Sequence, residues 1–357
     1  MPKSLLRSVA FVAVFALVGC ESEQRSATAP ALEPASPTFS LARAQQRELG
    51  AALAAKERHA DSLLADPGIV GLAVGLTADG RPAVKIFTKA AGTRGLPRNL
   101  DGIPVIAEVT GEFRAFPVRA ASAGALAAGN TGTFAFPVPI GISTGNEGQC
   151  LAGTISARVR DAAGHLYALS NNHVYALEND ARLGSRVLQP GLYDTGCSLT
   201  GNGVLGTLFD YQRIAFRRKA NNTIDAAIAA ATAGTLGTAT PGDGYGMPNH
   251  VTAPAFVSQP VQKYGRTTSL THGRVTAVGA TLLIGYTSGT ARFVDQIIVE
   301  SGTAFIGPGD SGSLLVSDDG GAYPVGLLFA GTGTGTMAIA NPINAVLGRF
   351  GVTIDGK

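Results

Sequence analysis

The chain has 357 residues, of which 45% are hydrophobic and 15% are charged, and its formal net charge is +3. This length is sufficient for a large hydrophobic core and for two domains. The sequence has no long basic run and no basic stripe with interleaved aromatic residues, which argues against a nucleic-acid partner. A content of 47 Gly with no Trp is typical of a turn-rich β protein.

The first residues have the pattern of an export signal. Lys3 and Arg7 precede and flank an apolar stretch, Val9–Val18, which is too short to span a bilayer as a helix. The stretch ends in Leu17-Val18-Gly19-Cys20, which resembles the lipobox of bacterial lipoprotein signal peptides. An ordinary signal peptide with an incidental Cys is the alternative.

The lipobox resemblance implies where the protein is found. Cleavage would remove residues 1–19 and leave a lipid on Cys20, so we expect an exported protein that is anchored to the bacterial cell envelope. Glu21 follows the Cys, where an Asp would indicate inner-membrane retention, so the outer membrane is favoured. Residues 20–40 are rich in Ser, Ala, Pro and Glu and predict a flexible tether.

Two cysteines remain if Cys20 carries lipid. Cys150 and Cys197 would then lie in an oxidising compartment, so a disulfide between them is expected, with two unpaired buried thiols as the alternative. No CxxC or HExxH motif is present, so the sequence indicates no metal site and no cofactor.

Residues 41–118 predict a small α+β domain. Ala, Leu, Glu, Lys and Arg dominate residues 41–65, which favours a helix that ends at Asp66-Pro67-Gly68. Three strands are expected after it, at Ile69–Leu76, Ala83–Phe87 and Ile103–Val109. This domain could be a propeptide, an inhibitor or a partner-binding module, and the sequence does not choose between these roles.

The rest of the chain predicts β-barrels. Residues 119–133 are small and Gly/Ala-rich and indicate a linker, and residues 134–357 form the second domain. A short helix is expected at Asn341–Phe350. Many short strands separated by Gly turns favour barrels over βαβ units; we expect them at Gly153–Arg160, Leu166–Ser170, Val204–Asp210, Ile224–Ala229, Val275–Val278, Leu282–Tyr286, Phe293–Val299, Ser313–Val316 and Val325–Phe329.

Three residues of this second domain can carry acyl-transfer chemistry together. His173 follows a predicted strand, Asp225 lies in an alternating run, and Ser311 lies in a Gly-rich loop before an apolar strand. A Ser hydroxyl is a weak nucleophile that needs an adjacent base, and a buried carboxylate fixes the tautomer of that base. Glycines around the Ser let the backbone turn so that N–H groups can converge on an oxyanion.

The order of the three residues discriminates between folds. His173, Asp225 and Ser311 follow one another as in chymotrypsin-like enzymes. No His follows Ser311, since the last one is His272, so the Ser, Asp, His order of α/β-hydrolases is impossible. The G-x-S-x-G pattern also fails, because Ser313 stands where it needs Gly.

The surrounding motifs resemble those of bacterial trypsin-like serine peptidases over residues 134–350. The resemblance implies a double β-barrel of the chymotrypsin type, so the fold class expected for the whole chain is mainly β, with a small α+β domain in front. The segments that carry the resemblance are GDSGS at 309–313, LSNNHV at 169–174, IDAAI at 224–228, the KYGRTT motif that begins at Lys263, and Leu188-Gln189-Pro190-Gly191.

The same resemblance implies a role for each matching residue. His173 would be the general base, Asp225 its orienting acid and Ser311 the nucleophile. The N–H groups of Gly309 and Ser311 would form the oxyanion hole. Asp310 matches an Asp that pairs with a freed N-terminus in some relatives, and no such terminus is evident in this sequence.

The substrate pocket is expected around Phe305, Phe329, Ala330 and Gly331. Phe305 stands six residues before Ser311, where peptidases with basic specificity carry Asp, so a small or apolar residue is expected at the cleavage site. Phe329-Ala330-Gly331 should pair with the substrate backbone as an edge strand. The function expected is a serine endopeptidase with a polypeptide substrate; a catalytically silent peptide-binding module and an esterase are the alternatives.

Overall fold

The computed structural model describes residues 45, 47–115, 118–119 and 129–357. The predicted signal peptide, the tether and Cys20 lie outside the described residues, as does most of the predicted linker. No helix in the described ranges is long and apolar enough to cross a membrane.

In the part before the linker that the structure describes, a helix and six strands follow Leu49, and Gln45, Arg47 and Glu48 are helical as well. The helix is stabilised on the sheet by Lys56, whose buried Nζ donates to the carbonyl of Gly279 at 2.6 Å and to Thr281 Oγ1 at 3.0 Å. The elements are α1 (Gly50–Leu63), β1 (Ile69–Leu76), β2 (Pro82–Thr88), β3 (Asn99–Leu100), β4 (Ile103–Val109), β5 (Phe113–Ala115) and β6 (Val118–Arg119).

The middle of the chain forms seven strands and a one-turn helix within the described residues. The helix directly follows the strand that the sequence placed before His173. The elements are β7 (Ser143–Asn146), β8 (Leu151–Thr154), β9 (Ala157–Asp161), β10 (Leu166–Ser170), α2 (Asn172–Tyr175), β11 (Arg186–Gln189), β12 (Gly203–Tyr211) and β13 (Ala227–Ala231). Short 3-10 turns lie at Gly129–Thr131, Leu177–Asn179 and Leu192–Thr195.

The last third of the chain contains the longest strands. The predicted strands at 275–278 and 282–286 are one continuous strand of 18 residues, because both of its edges find antiparallel partners along its length. The elements are β14 (Pro260–Gly265), β15 (Ser269–Tyr286), β16 (Gly289–Glu300), β17 (Leu314–Ser317), β18 (Pro324–Gly331), β19 (Met337–Pro342), α3 (Ile343–Phe350) and β20 (Val352–Ile354).

These strands form two sheets, each with its own hydrophobic core. In the described part of the chain the first sheet has the order β20-β9-β10-β13-β12-β11-β7-β8-β6 and surrounds residues such as Ile140, Val174 and Leu208. The second contains the ring β14-β17-β18-β19-β16-β15, which closes because β14 also pairs with β15. The expected mainly β double barrel is confirmed.

The strands of the predicted α+β domain do not form a sheet of their own. β1 pairs antiparallel with β15, with Gly71 opposite Leu282, and β2 and β4 continue the same sheet outward. The larger sheet therefore extends from the second barrel into the N-terminal segment. The domain boundaries at 118 and 134 stay predictions.

One predicted strand begins later than expected. Ile224–Ala229 alternates in sequence, yet β13 starts at Ala227. The reason is that side chains, and not a neighbouring strand, bind the backbone of Asp225: its N–H donates to Asn341 Oδ1 at 3.0 Å, and its carbonyl accepts from Asn171 Nδ2 at 2.7 Å. Because the backbone of Asp225 is not paired with a neighbouring strand, its side chain can lie in the site described below.

The expected disulfide is present. Cys150 and Cys197 are bonded, with 5.1 Å between their Cα atoms. Cys150 directly precedes β8, and Cys197 follows the 3-10 turn that carries Asp194. The bond therefore holds that turn against the first barrel.

We predict that replacing both cysteines by Ala lowers the free energy of unfolding by about 4 kcal/mol. The bond closes a loop with a sequence separation of 47, and a loop of this length removes substantial entropy from the unfolded chain. Urea unfolding followed by circular dichroism measures the change. Reductant should shift the unmodified protein to the same midpoint and leave the double variant unaffected; equal midpoints without reductant would contradict the prediction.

Candidate active site

His173 and Asp225 are in direct contact at the junction of the two barrels. Imidazole Nδ1 lies 2.6 Å from Asp225 Oδ2, and the backbone N–H of His173 donates to Asp225 Oδ1 at 3.2 Å. Both side chains are fully buried. A buried carboxylate needs such partners, and this one holds the ring with Nε2 directed away from it.

A chain of amides holds Asp225 in place. Asn171 and Asn341 bind its carbonyl and N–H, as described above. Asn341 Nδ2 donates to Gln296 Oε1 at 2.6 Å, and Gln296 Nε2 donates to the carbonyl of Thr223 at 2.9 Å. The sequence predicts Asn341 only as the start of a helix, since nothing local links it to a residue more than a hundred positions earlier; the structure places it in β19, before α3.

Tyr286 is a further member of the site that the sequence did not indicate. Its hydroxyl donates to Asp225 Oδ2 at 2.8 Å, and its ring lies edge-on to His173 with 5.9 Å between centroids. Burial, with the Asp225 carboxylate as a further cause, raises the pKa of Tyr286 well above its ordinary value. The phenol is therefore a constant hydrogen-bond donor to the carboxylate over the neutral range.

The turn that follows Tyr286 is fastened to the other barrel. Glu178 accepts hydrogen bonds from the backbone N–H of Thr287 at 3.3 Å and of Ser288 at 2.7 Å. Glu178 itself has positive φ at 60°, an unusual conformation for a residue with a side chain. This clamp fixes the hairpin end that carries Tyr286 beside His173.

The loop that presents Ser311 depends on two glycines. Gly309 and Gly312 both have a φ of 98°, which residues with side chains rarely adopt. A Cβ on Gly312 would lie 2.2 Å from the carbonyl oxygen of Thr154. Thr154 is also bound to the loop, because its N–H donates to the carbonyl of Ser311 at 2.8 Å. The Ser311 loop of the second barrel is therefore joined to β8 of the first.

The structure brings His173 and Asp225 together but does not hydrogen-bond Ser311 to His173. Ser311 Oγ lies 3.4 Å from the carbonyl of Phe329, and His173 Nε2 is buried without a hydrogen-bond partner among the described residues. Bonds of this kind are often long before substrate binds and tighten in the complex. The basic nitrogen is thus left available.

The predicted oxyanion donors are also available. Other N–H groups of the loop already have acceptors: that of Asp310 donates to the carbonyl of Gly307, and that of Gly312 donates to the carbonyl of Leu328 on β18. Those of Gly309 and Ser311 make no hydrogen bond with any other residue that the structure describes. Two free N–H groups on a tight turn are the donor set that a tetrahedral oxyanion needs.

Among the described residues, the partners of Asp310 do not include a chain terminus. Its carboxylate accepts from the N–H of Thr267 at 2.7 Å and of Gly307 at 2.9 Å, and the buried Lys263 Nζ lies 3.5 Å away. Burial lowers the pKa of Lys263, and the Asp310 carboxylate opposes that shift. The loop is therefore ordered by the side chain of Lys263 on β14 and by the backbone of the turn after β14.

Arg266 connects the same turn to the first barrel. It is 2% exposed, and its Nε donates to Asp194 Oδ2 at 2.8 Å, with a second bond from Nη2 to Oδ1. Asp194 also accepts from Ser143 Oγ at 2.5 Å. A buried two-point Arg–carboxylate pair fixes orientation as well as distance.

The residues expected to line the pocket are buried in two different places. Phe305 belongs to the core of the second barrel, with Lys263 Nζ 5.9 Å from its ring centroid. Phe329 packs on Phe293 with 4.8 Å between centroids, and Ala330 and Gly331 follow on β18. Their role in substrate binding stays a prediction.

Comparison with known proteins gives structural likenesses alone. No protein-family model and no curated protein matches the chain. A serine protease specific for glutamic acid is 23% identical, with a TM-score of 0.43 over 61% of this chain and 100% of its own. Protease A of Thermobifida fusca is 18% identical, with a TM-score of 0.44 over 62% and 100%. A Nocardiopsis protease is 18% identical, with a TM-score of 0.44 over 61% and 99%.

We predict that Tyr286→Phe lowers kcat by roughly 10- to 100-fold and leaves KM nearly unchanged. The variant keeps the ring and removes one hydrogen bond to a buried charge, which contributes roughly 1.5–3 kcal/mol.

The free energy of unfolding of Tyr286→Phe should also depend less on pH above 10 than that of the unmodified protein. The pKa of this phenol in the folded protein lies above its ordinary value of 10.0. Unfolding above pH 10 therefore releases a proton, so the free energy of unfolding of the unmodified protein falls as the pH rises from 10 toward the folded-state pKa.

Tyr167→Phe is the matched control for this variant. Its hydroxyl donates to Asp161 Oδ2 at 3.1 Å, so the same chemical change occurs on a Tyr–Asp pair that does not touch His173. Steady-state kinetics and urea unfolding at pH 8 and above pH 10 compare the two. Equal kcat values in both variants would show that Tyr286 does not support the site.

Proposed function

We propose that the chain is a serine endopeptidase that hydrolyses peptide bonds through Ser311, His173 and Asp225. The observation that carries the proposal is the 2.6 Å contact between His173 Nδ1 and Asp225, while Nε2 has no hydrogen-bond partner in the part of the chain that the structure describes. A base fixed in this way can serve a hydroxyl on the facing loop.

The first half of the reaction forms an acyl-enzyme. Ser311 Oγ attacks the carbonyl carbon of the scissile peptide bond while His173 Nε2 takes the hydroxyl proton. The resulting oxyanion accepts hydrogen bonds from the N–H groups of Gly309 and Ser311. The C–N bond then breaks, and the imidazolium gives its proton to the leaving nitrogen, which departs as the new amino terminus.

The second half regenerates the enzyme. A water molecule attacks the acyl carbon, and His173 takes one of its protons. The bond to Ser311 Oγ breaks, the acid product leaves, and the proton returns to the Ser oxygen. Asp225 stays ionised throughout and stabilises the imidazolium, held by Tyr286 and the backbone of His173.

The cleavage site is proposed to carry a small or apolar residue. Phe305 and Phe329 are apolar. Asp310, the acidic residue directly before Ser311, is already bound by Lys263 and by backbone N–H groups. An acidic side chain to select Lys or Arg is therefore not supplied from these positions. A peptide library read by mass spectrometry would rank the preferences.

We predict that Ser311→Ala lowers kcat on the order of 10⁶-fold, because loss of the nucleophile removes the acyl-enzyme route. A fluorophosphonate probe should label the protein at Ser311, and unfolded casein should be cut at neutral pH. Ser62→Ala is the control, since this Ser is exposed on α1. Hydrolysis of small esters without any peptide cleavage would replace the peptidase by an esterase; no labelling and no hydrolysis would leave a silent peptide-binding module.

The location of the protein is proposed from its first residues. We expect export and a lipid on Cys20, with a bacterial outer membrane as the site of attachment. In cells, Cys20→Ala should move the protein from the membrane fraction to the soluble fraction, because each buried CH₂ of an acyl chain contributes about 0.8 kcal/mol to membrane binding. Mass spectrometry of the mature N-terminus shows whether Cys20 carries a lipid. Membrane-bound protein in which Cys20 is unmodified would contradict the assignment.

A further inference from the structure

The turn after β14 packs against the peptide group that supplies one oxyanion donor. A Cβ on Gly309 would lie 2.6 Å from Arg266 Nη1 and 2.8 Å from Thr267 Oγ1. Gly309 is buried, and its N–H has no acceptor among the described residues. The direction of this N–H is therefore set by the groups around it and not by a hydrogen bond of its own.

The carbonyl of Pro308 fixes that direction. Thr267 Oγ1 donates to this carbonyl at 2.6 Å. The peptide between Pro308 and Gly309 is trans, since the cis peptides of the described residues precede Pro137 and Pro190. In a planar trans peptide the C=O and the N–H point in opposite directions. A carbonyl that is bound to Thr267 therefore holds the Gly309 N–H away from Thr267.

Arg266 determines where the Thr267 hydroxyl points its hydrogen. A hydroxyl has one hydrogen, and a guanidinium can only donate. Arg266 Nη1 donates to Thr267 Oγ1 at 2.8 Å, so the hydroxyl hydrogen is left for the Pro308 carbonyl. Arg266 is 2% exposed and is itself fixed by Asp194, whose Oδ2 accepts from Nε at 2.8 Å. Asp194, Arg266 and Thr267 thus form a relay that ends at the Pro308 carbonyl.

The peptide on the other side of Gly309 is held in the same way. Thr154 Oγ1 accepts from the backbone N–H of Arg266 at 3.1 Å and donates to the carbonyl of Gly309 at 2.9 Å. Thr154 is fully buried. Arg266 therefore donates to two Thr hydroxyls, and each hydroxyl binds one of the carbonyls that flank the Gly309 N–H.

The second predicted oxyanion donor, the N–H of Ser311, is held locally. It shares a peptide group with the carbonyl of Asp310, which accepts from Ser313 Oγ at 2.6 Å and from the N–H of Ser313 at 3.0 Å. These partners lie three residues further along the same turn. The Gly309 donor differs because its direction depends on residues outside the loop.

A peptide next to glycine needs such support. Glycine adopts both signs of φ with little cost, so the peptide between Pro308 and Gly309 can rotate when its carbonyl is not held. Rotation by about half a turn exchanges the positions of the N–H and the C=O of a planar trans peptide. A carbonyl oxygen would then face the oxyanion and repel it.

We propose that Thr267 is a positioning residue that holds the Gly309 N–H toward the oxyanion, and that Arg266 and Asp194 direct its hydroxyl. This inference rests on the proposed peptidase function and names what holds one of its two oxyanion donors. The bonds of the relay reach neither Ser311 Oγ nor His173. Its effect is therefore on the transition state and not on the base.

The first test removes the Thr267 hydroxyl and keeps the size of the side chain. With a trialanyl p-nitroanilide as substrate, Thr267→Val should lower kcat by roughly 10- to 100-fold and leave KM nearly unchanged, because the donor serves the transition state alone. Thr267→Ser restores the hydroxyl and should restore most of the kcat. Thr133→Val is the matched control: its hydroxyl binds the carbonyl of Gly201 at 3.0 Å, in the loop before β12, and kcat should not change.

The second test asks whether Asp194 acts through Thr267. Asp194→Asn keeps the shape of the side chain and removes the charge that fixes Arg266, so kcat should fall by about tenfold. When Asp194→Asn is added to Thr267→Val, kcat should fall no further, because residues that act through one contact are not additive. Losses that multiply would show that Asp194 acts independently and would overturn the relay.

The third test observes the oxyanion itself. A trialanyl trifluoromethyl ketone with ¹³C at its carbonyl carbon adds to Ser311 Oγ, His173 takes the hydroxyl proton, and the carbonyl oxygen becomes the oxyanion. The ¹³C shift, followed against pH, shows where this oxygen gains a proton. The midpoint should lie at higher pH in Thr267→Val than in the unmodified protein or in Thr133→Val, because hydrogen bonds to the charged form are lost.

The outcomes separate this inference from the proposed function. A lower kcat that Thr267→Ser restores, with the higher midpoint, supports the positioning role. An unchanged kcat, or a lower kcat with an unchanged midpoint, overturns that role and leaves the peptidase standing; Thr267→Ala gives the same comparison if Thr267→Val does not fold. If the unmodified chain cleaves neither the anilide nor casein and forms no adduct, the peptidase is overturned, and this inference with it.

Discussion

A carboxylate buried between two barrels is the constraint on which the rest of the site depends. Asp225 is fully buried and can stay charged there only if every side of it is bound. His173, Tyr286 and the backbone of the one-turn helix supply those bonds to its carboxylate. These partners come from two distant parts of the chain, so the same requirement that keeps the charge stable also brings the imidazole into a fixed orientation.

The long strand β15 relates the site to the N-terminal segment. One end of β15 pairs with β14, which leads into the turn that binds Asp310, while its middle pairs with β1 and its other end carries Tyr286. β5 also rests on that end of β15. The N-terminal segment and Asp225 therefore both contact β15. This explains how a segment far from the second barrel in sequence can reach β18.

The sequence predicted the elements best where the pattern was local. The strand before His173 and the loop around Ser311 were found at the expected places, because alternation and Gly turns are properties of neighbouring residues. The contacts of Asp225 were not predictable in this way. Tyr286 and Asn341 lie 61 and 116 positions from it, and no pattern in the sequence indicates which Tyr or Asn will meet a given carboxylate once the strands have paired.

By itself, the sequence predicted a class of chemistry and the order of the three residues proposed to perform it, since a His, an Asp and a Ser in a Gly-rich loop are recognisable wherever they fold. It also determined that Cys150 and Cys197 were the pair available for a disulfide. Only the tertiary structure decided which segment pairs with the end of β18. Strand pairing is made by backbone groups that every residue carries, so Phe113–Ala115 has no side-chain signature of its place on β18, and its position follows solely from which sheet edge was left open.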